Sequence, residues 1–125
     1  MNLEELKTCC LSRKGATSDF PFDDVTMVFR VAHRMFALVR IDQNPLKINL
    51  KCDPLMAQDL RMDFPAITPG YHMNKKYWIT ITFDGTLSDG MVKNLISNSY
   101  TLVYEKLTRK EKESLLDAKE IPSSS

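Results

Sequence analysis

The sequence has few of the residues that disulfide scaffolds, zinc sites and redox centres require. It contains three cysteines, of which Cys9 and Cys10 are adjacent and Cys52 stands alone. The odd count and the missing CxxC pair predict neither a disulfide framework nor a redox motif. A zinc site needs four ligands at workable spacing, and only two histidines could join the cysteines. We therefore expect buried or half-buried thiols, with no metal and no cofactor.

Long apolar runs are missing as well. No stretch approaches the roughly 18 apolar residues that a membrane span needs. The first five residues, Met1-Asn2-Leu3-Glu4-Glu5, are acidic and helical in pattern, unlike a signal peptide. The sequence thus predicts a cytoplasmic protein without a membrane partner.

The motifs of common enzyme classes are also absent. The chain has no P-loop, dinucleotide fingerprint, nucleophile elbow or HExxH helix. A nucleophile and base formed by Cys52 and His72 is the alternative that spacing alone leaves open. We expect a binding protein and not an enzyme.

The composition is that of an ordinary globular domain. Its 125 residues are 43% hydrophobic and 26% charged, enough to bury a core without disulfides or metals. We expect a single domain over residues 1–118 and a frayed tail over residues 119–125. The net charge of +1 is unevenly spread. Residues 1–24 carry −2, whereas residues 25–52 have five basic residues against one acidic residue, a local positive field much weaker than that of dedicated nucleic-acid binders.

Hydrophobic periodicity predicts helices and strands in a definite order. Asn2 and Glu5 form a capping box for a first helix, after which residues 12–18 break the pattern. Alternating apolar residues predict strands over 27–32 and 46–51. The run over 35–41 is apolar on both parities except at Arg40 and predicts a strand buried in the middle of the sheet, with a turn at His33-Arg34 before it. Asp53-Pro54 opens a helix that extends to about residue 63, and residues 64–74 form an ordered loop. A fourth strand follows over 77–83, then a long helix over 88–107 and a short terminal helix from a second capping box at Thr108.

This order predicts an α+β domain of two layers. An antiparallel sheet packs against the N-terminal helix and the long C-terminal helix, which cover one of its faces. The other face is expected to be polar and basic with one large aromatic residue. It would present Arg30, Lys47, Asn49, Lys51, Trp78, Thr80 and Thr82.

One segment has more polar residues than its structural role needs. Residues 69–78 read Pro-Gly-Tyr-His-Met-Asn-Lys-Lys-Tyr-Trp, and turn formation explains only Pro69 and Gly70. Loops on a rigid scaffold are where binding residues concentrate. The sequence therefore predicts a functional role for this loop.

Several short pieces, taken in order, resemble the MmcQ/YjbR family of small bacterial proteins. The resemblance runs from about Leu3 to Leu116. Its pieces are Phe20-Pro21-Phe22, Met35-Phe36-Ala37-Leu38, Leu50-Lys51-Cys52-Asp53-Pro54, the 69–75 segment, Trp78 and Ser99-Tyr100. The resemblance implies an α+β fold like CyaY/frataxin and like the double-wing DNA-binding domains of phage transcription factors, and hence DNA as a partner. The frataxin likeness also raises iron binding, but the acidic residues are too dispersed along the chain to predict a site for a hard cation.

The sequence departs from the family pattern at two positions. Tyr77 stands where the family usually has a histidine before the tryptophan, so no imidazole role is carried over. The first hairpin reads Ala32-His33-Arg34, where a glycine followed by a lysine is more usual. Arg34 keeps the positive charge.

Two functions of different classes remain open. The leading hypothesis is a DNA-binding module using the basic sheet face and the 69–78 loop. Its candidate residues are Arg30, Arg34, Lys47, Lys51, His72, Asn74, Lys75, Lys76 and Trp78. The alternative is a small protein- or ligand-binding domain with no nucleic-acid activity, whose partner is unknown. Its cleft would lie between the 64–74 loop and the sheet, lined by Phe64, Ile67, Tyr71 and Met73.

Each candidate residue also has a structural interpretation. His72 and Asn74 would fix the loop through backbone hydrogen bonds, as turn-forming side chains routinely do. Trp78 would pack rather than stack on a base. The lysines and arginines would be a solvated outer face. Ser99 and Tyr100 in the long helix are expected to be structural, with the tyrosine oxygen bonded to a buried partner.

Overall fold

The computed structural model of the protein describes residues 1–70 and 73–115. Within them, helices and strands follow the order α1, β1, β2, β3, β4, α2, β5, β6, α3, and residues 109–115 are again helical. The predicted tail, residues 119–125, lies outside the described residues. The elements are α1 Leu3–Leu11, β1 Ala16–Asp19, β2 Thr26–Val31, β3 Arg34–Arg40, β4 Lys47–Lys51, α2 Pro54–Asp63, β5 Ile67–Pro69, β6 Trp78–Thr82 and α3 Asp89–Glu105.

The helices begin where the capping signals predict. The Asn2 side chain accepts a hydrogen bond of 2.8 Å from the Glu5 backbone, and the Glu5 carboxylate accepts one of 3.1 Å from the Asn2 backbone. The Asp53 carboxylate accepts two backbone bonds at the start of α2, where Pro54 occupies the first helical position. The capping box at Thr108 is formed too. These predictions are confirmed because caps depend on local sequence.

The sheet has two strands that the sequence analysis did not predict. Within the described residues six strands pair in the order β1-β2-β3-β4-β6-β5, and every pair is antiparallel. Both missed strands, β1 and β5, lie at the edges. β1 is the polar run Ala-Thr-Ser-Asp, and β5 has only three residues, one of them proline. Edge strands are often short, polar or interrupted by proline, so they lack the alternation on which a prediction depends.

The turn between β2 and β3 lies one residue earlier than predicted. Ala32 and His33 both have positive φ, 47° and 73°, and Arg34 already belongs to β3. Two left-handed residues in a two-residue hairpin loop match the twist of the strands they join. The hairpin therefore keeps the usual geometry without the glycine that normally occupies such a position.

The main core lies between the sheet and the helices. α3 supplies Val92, Leu95, Ile96 and Val103 to it, and the buried Ser99 donates a hydrogen bond of 2.6 Å to the Phe36 carbonyl. Tyr100 donates from its hydroxyl to the Lys14 carbonyl, which holds the segment after α1 against α3. The structural roles expected for Ser99 and Tyr100 are confirmed.

The three cysteines are free. Cys10 and Cys52 are buried and Cys9 is half-buried, in agreement with the prediction. Burial raises the pKa of Cys10 to about 12 and that of Cys52 to about 11. Both thiols are therefore neutral at physiological pH and poor nucleophiles. Across residues 1–70 and 73–115, no helix combines the length and apolar composition that crossing a bilayer requires.

Candidate functional site

The sheet face turned away from the helices is called the open face here. In the pairing of β4 with β6, Lys47 lies opposite Thr82, Asn49 opposite Thr80 and Lys51 opposite Trp78. Residues directly opposite in a ladder share a face, so the predicted assignment of these side chains is confirmed. Thr80 donates a hydrogen bond of 2.6 Å to the Asn49 side-chain oxygen across the strands.

Trp78 is buried at one end of the open face. Its exposed fraction is 5%, and it packs with Val28 and Leu38 in a cluster separate from the main core. Half-buried Met35, Met73 and Tyr77 surround this cluster. The packing role expected for Trp78 is confirmed, and the indole does not protrude as a flat stacking platform.

The 69–78 loop approaches β6 closely before it turns back. The Gly70 amide donates 3.0 Å to the Trp78 carbonyl, and a Cβ at Gly70 would lie 2.8 Å from the Trp78 Cβ. The Asn74 side-chain oxygen accepts 3.0 Å from the Lys76 amide, and its carbonyl accepts 3.0 Å from the Tyr77 amide. Asn74 therefore forms the turn, as its structural interpretation predicted. His72, with Tyr71, lies outside the described residues.

Lys51 is the best-placed cation of the open face. Its ammonium lies 5.3 Å from the centroid of the Trp78 ring and 5.8 Å from that of Tyr77, within cation–π range. Burial lowers the pKa of Lys51, and the positive charges of Lys106 and Arg34 lower it further. The positive charges of Lys106 and Arg34 thus lie close enough to this ammonium group to interact with it.

These groups line a cavity that we call the basic groove. It has a volume of about 390 Å³ and lies where the start of β3, the end of β4, the start of β6 and the end of α3 meet. Its charged lining residues are Arg34, Lys51, Asp53 and Lys106. Its other lining residues are Met35, Cys52, Pro54, Met73, Tyr77, Trp78, Leu102 and Val103.

Lys106 was missed by the sequence analysis. It is exposed at the C-terminal cap of α3, and the sequence places it far from the sheet residues of the groove. Only the packing of α3 across the sheet brings it beside Lys51. In the sequence, Lys106 is distinguished only by its position after the last turn of the predicted long helix. That position alone does not indicate a binding residue.

A second cavity, of about 500 Å³, lies further along the open face and is called the polar groove here. It contains Lys47 together with Asn49, Thr80 and Met73. The remaining residues that line it are Thr26, Leu38, Arg40, Gln43, Thr68 and Thr82.

Three arginines of β2 and β3 have carboxylate partners. Arg30 donates 3.1 Å to Asp19, and Arg40 donates 2.8 and 3.1 Å to the two oxygens of Asp42. Arg34 lies 3.6 Å from Glu111. Arg30, Arg34 and Arg40 thus have part of their charge neutralised. Lys75 and Lys76 are exposed.

The prediction of a cleft between the 64–74 loop and the sheet, made for the alternative function, is wrong. β5 pairs with β6 so that Ile67 faces the main core, and Phe64 packs there as well. Met73 lies on the open face instead and lines both grooves. The missed strand β5 is the reason, because pairing fixes which side chains of this segment point inward. Tyr71 is outside the described residues.

The chain matches a family model and is similar in sequence to uncharacterised proteins of Escherichia coli. A family model described as YjbR matches residues 11–102. The uncharacterised protein YbdF of Escherichia coli O157:H7 is 34% identical over 92 residues, which are 74% of this chain and 75% of YbdF. The uncharacterised protein YjbR of Escherichia coli K12 is 31% identical over 100 residues, 80% of this chain and 85% of YjbR.

Solved structures share the same architecture. The Deinococcus radiodurans protein DR2400, whose domain is described as DUF419, is 41% identical with a TM-score of 0.86, covering 91% of this chain and 87% of that one. A Pseudomonas syringae protein is 28% identical with a TM-score of 0.70, covering 82% and 98%. The α+β fold predicted from the sequence is confirmed.

Proposed function

The chain belongs to the YjbR family, and we propose that it is a DNA-binding domain whose contact surface is the open face with the 69–78 loop. The observation that carries the proposal is the convergence of Lys51, Lys106 and Arg34 on one groove at the end of the sheet, beside that face. Like charges held together are stabilised when an anion joins them, and the phosphates of a nucleic acid supply such anions.

The lysines provide most of the attraction in this proposal. Arg30 and Arg40 each hold a carboxylate, so a phosphate would have to compete with Asp19 and Asp42 for them. Lys47 lies on the same face, and Lys75 and Lys76 extend the positive surface into the loop. A handful of phosphate contacts gives modest affinity that falls steeply with salt.

The family resemblance supports the same proposal, because it implies a likeness to double-wing DNA-binding domains and to CyaY. We further propose that the protein acts in the cytoplasm by binding and not by catalysis. The neutral, buried thiol of Cys52 supports the absence of a nucleophile there.

Fluorescence anisotropy with labelled random DNA tests the proposal directly. Binding is expected at low salt and should weaken strongly at physiological salt. Lys93→Ala is the matched control for every lysine variant, since Lys93 is exposed on α3 and lies outside the basic groove and the polar groove. An absence of binding even at low salt would refute the proposal.

The polar groove favours a second candidate function, a small-ligand-binding domain without nucleic-acid activity. Its volume of about 500 Å³ lies within the range of about 300–1,000 Å³ typical of small-molecule sites. Hydroxyl and amide groups from Thr68, Thr80 and Asn49 suit a polar ligand. A thermal-shift survey of polar metabolites would support it if a compound stabilised the protein and Thr82→Val, on the groove wall, abolished the shift.

A further inference from the structure

We propose that the basic groove binds one nucleotide unit, with its phosphate between Lys51 and Lys106 and its base against Tyr77 and the methionines. The unit would be either a free mononucleotide or an unpaired nucleotide of a single strand. The inference deepens the proposed function, on which it rests in part, because it specifies which form of nucleic acid the site accepts.

The shape of the groove selects a small ligand. The walls come from four elements that surround a cavity of about 390 Å³, near the lower end of the range for small-ligand sites. A duplex has a convex outer surface, and its bases are stacked in its interior. It can therefore touch the rim of the groove but cannot insert a base into it. A single strand can turn one base into a cavity, and recognition of unpaired bases commonly uses aromatic side chains in this way.

The charges of the groove favour a phosphate. Asp53 is the single acidic residue among the described lining residues, and its carboxylate already accepts hydrogen bonds from the amides of Leu55 and Met56. Lys51 and Lys106 therefore outweigh it. Burial is the main cause of the lowered pKa of Lys51, and the positive charges of Lys106 and Arg34 add to it. A bound anion would offset the repulsion by these two charges.

The apolar part of the groove suits a base. Tyr77 is half-buried, and the ammonium groups of Lys51 and Lys76 lie 5.8 and 5.7 Å from its ring centroid. Met35 and Met73 add polarizable thioethers that adapt to flat rings. Trp78 forms the buried floor behind them. Cations next to an aromatic and thioether surface suit a nucleotide, because one end of a nucleotide is anionic and the other is a flat ring.

The single tryptophan of the chain makes the site measurable, because Trp78 lies in the groove itself. Adenosine 5′-monophosphate should change the tryptophan emission in a saturable way, with excitation at the red edge where adenine does not absorb. Inorganic phosphate and adenosine, which each carry half of the ligand chemistry, should bind at least about tenfold more weakly. Unlabelled single-stranded DNA should compete with the mononucleotide, and blunt duplex DNA should not.

Lys106→Gln is the decisive variant, because Lys106 is exposed and its loss should not unfold the domain. It should weaken the binding of the mononucleotide and of single-stranded DNA about tenfold, the loss expected for one charge-assisted hydrogen bond. Tyr77→Leu should weaken the mononucleotide while leaving inorganic phosphate unchanged. Lys93→Ala should alter none of these measurements.

The outcomes separate the inference from the proposed function. In one outcome duplex DNA binds, but the mononucleotide does not change the emission and Lys106→Gln has no effect. The groove inference then fails while DNA binding stands. If the mononucleotide saturates the site but no DNA binds, the groove site stands with a free nucleotide as its source and the proposed function fails. Competition by single strands but not by duplex supports both and identifies the single strand as the source. No response to any probe refutes both.

Discussion

Replacing Gly70 by alanine should destabilise the domain through a single methyl group. The new Cβ would lie 2.8 Å from the Trp78 Cβ and 3.2 Å from the Trp78 carbonyl carbon and oxygen, distances at which the neighbour must move. Most of those atoms are backbone, so the 69–78 loop has to shift away from β6. The shift weakens the hydrogen bond of 3.0 Å that the Gly70 amide donates to the Trp78 carbonyl.

The magnitude follows from two effects. Overpacking by one methyl group typically costs about 1–3 kcal/mol, and a weakened backbone hydrogen bond adds about 1 kcal/mol. We therefore expect a loss of about 2–4 kcal/mol in the free energy of unfolding. With a urea m-value of about 2 kcal/mol/M, the midpoint of denaturation should fall by roughly 1–2 M.

Gly90→Ala is the matched control for this prediction. Gly90 is exposed in the first turn of α3, and a Cβ there would have no atom within 4 Å. Alanine stabilises a helix relative to glycine by about 0.5–1 kcal/mol, so this variant should raise the midpoint. The same chemical change thus has opposite effects at the two sites. An unchanged midpoint for Gly70→Ala, or equal shifts in both variants, would show that the close approach of the loop to β6 contributes no constraint.

Three further predictions concern charge and backbone strain. The double change Lys75→Ala and Lys76→Ala should leave the urea midpoint nearly unchanged but weaken DNA binding for all sequences alike, reducing the salt slope by about one unit per lost phosphate contact; a slope equal to that of the wild type would exclude the loop from the interface. His33→Gly should stabilise the hairpin by about 1 kcal/mol, because φ is 73° there, and thermal denaturation should show a higher midpoint. Anion binding requires a protonated Lys51, and the pKa of Lys51 is lowered from 10.5. The affinity for the anion should therefore be full at neutral pH and decline as the pH rises into the alkaline range. In a Lys51→Arg variant this decline should occur only at a higher pH, which a pH titration of binding would show.

The sequence predicted those parts of the fold that depend on local patterns. The alternation of β4 and the Asp53-Pro54 signal are local, and the structure places both as expected. β1 and β5 were missed because their pairing partners, and not their own residues, make them strands. The antiparallel α+β architecture could still be predicted, because the central strands and α3 carry the hydrophobic pattern.

The candidate site was less accessible to sequence reasoning. Lys51 was identified because it alternates with core residues along β4, which determines its face. Lys106 was not identified, because no local pattern connects the end of a helix with the end of a strand. Burial of Trp78 by Val28 and Leu38 likewise depends on which residues β2 and β3 bring to the open face. Grooves form between elements, so their lining emerges only when tertiary packing is known.

The outer edge of β5 has a consequence for self-association. Pro69 has no amide hydrogen, the Ile67 amide donates to the Phe64 carbonyl at 3.0 Å, and the Gly70 amide is taken by the Trp78 carbonyl. Ile67, Pro69 and Gly70 therefore offer no donor to an incoming strand, and a sheet edge with few free donors is a poor template for cross-molecular β-pairing. Amyloid-like stacking along this edge is therefore disfavoured, and we expect a peptide that joined the sheet as an additional strand to pair with β1.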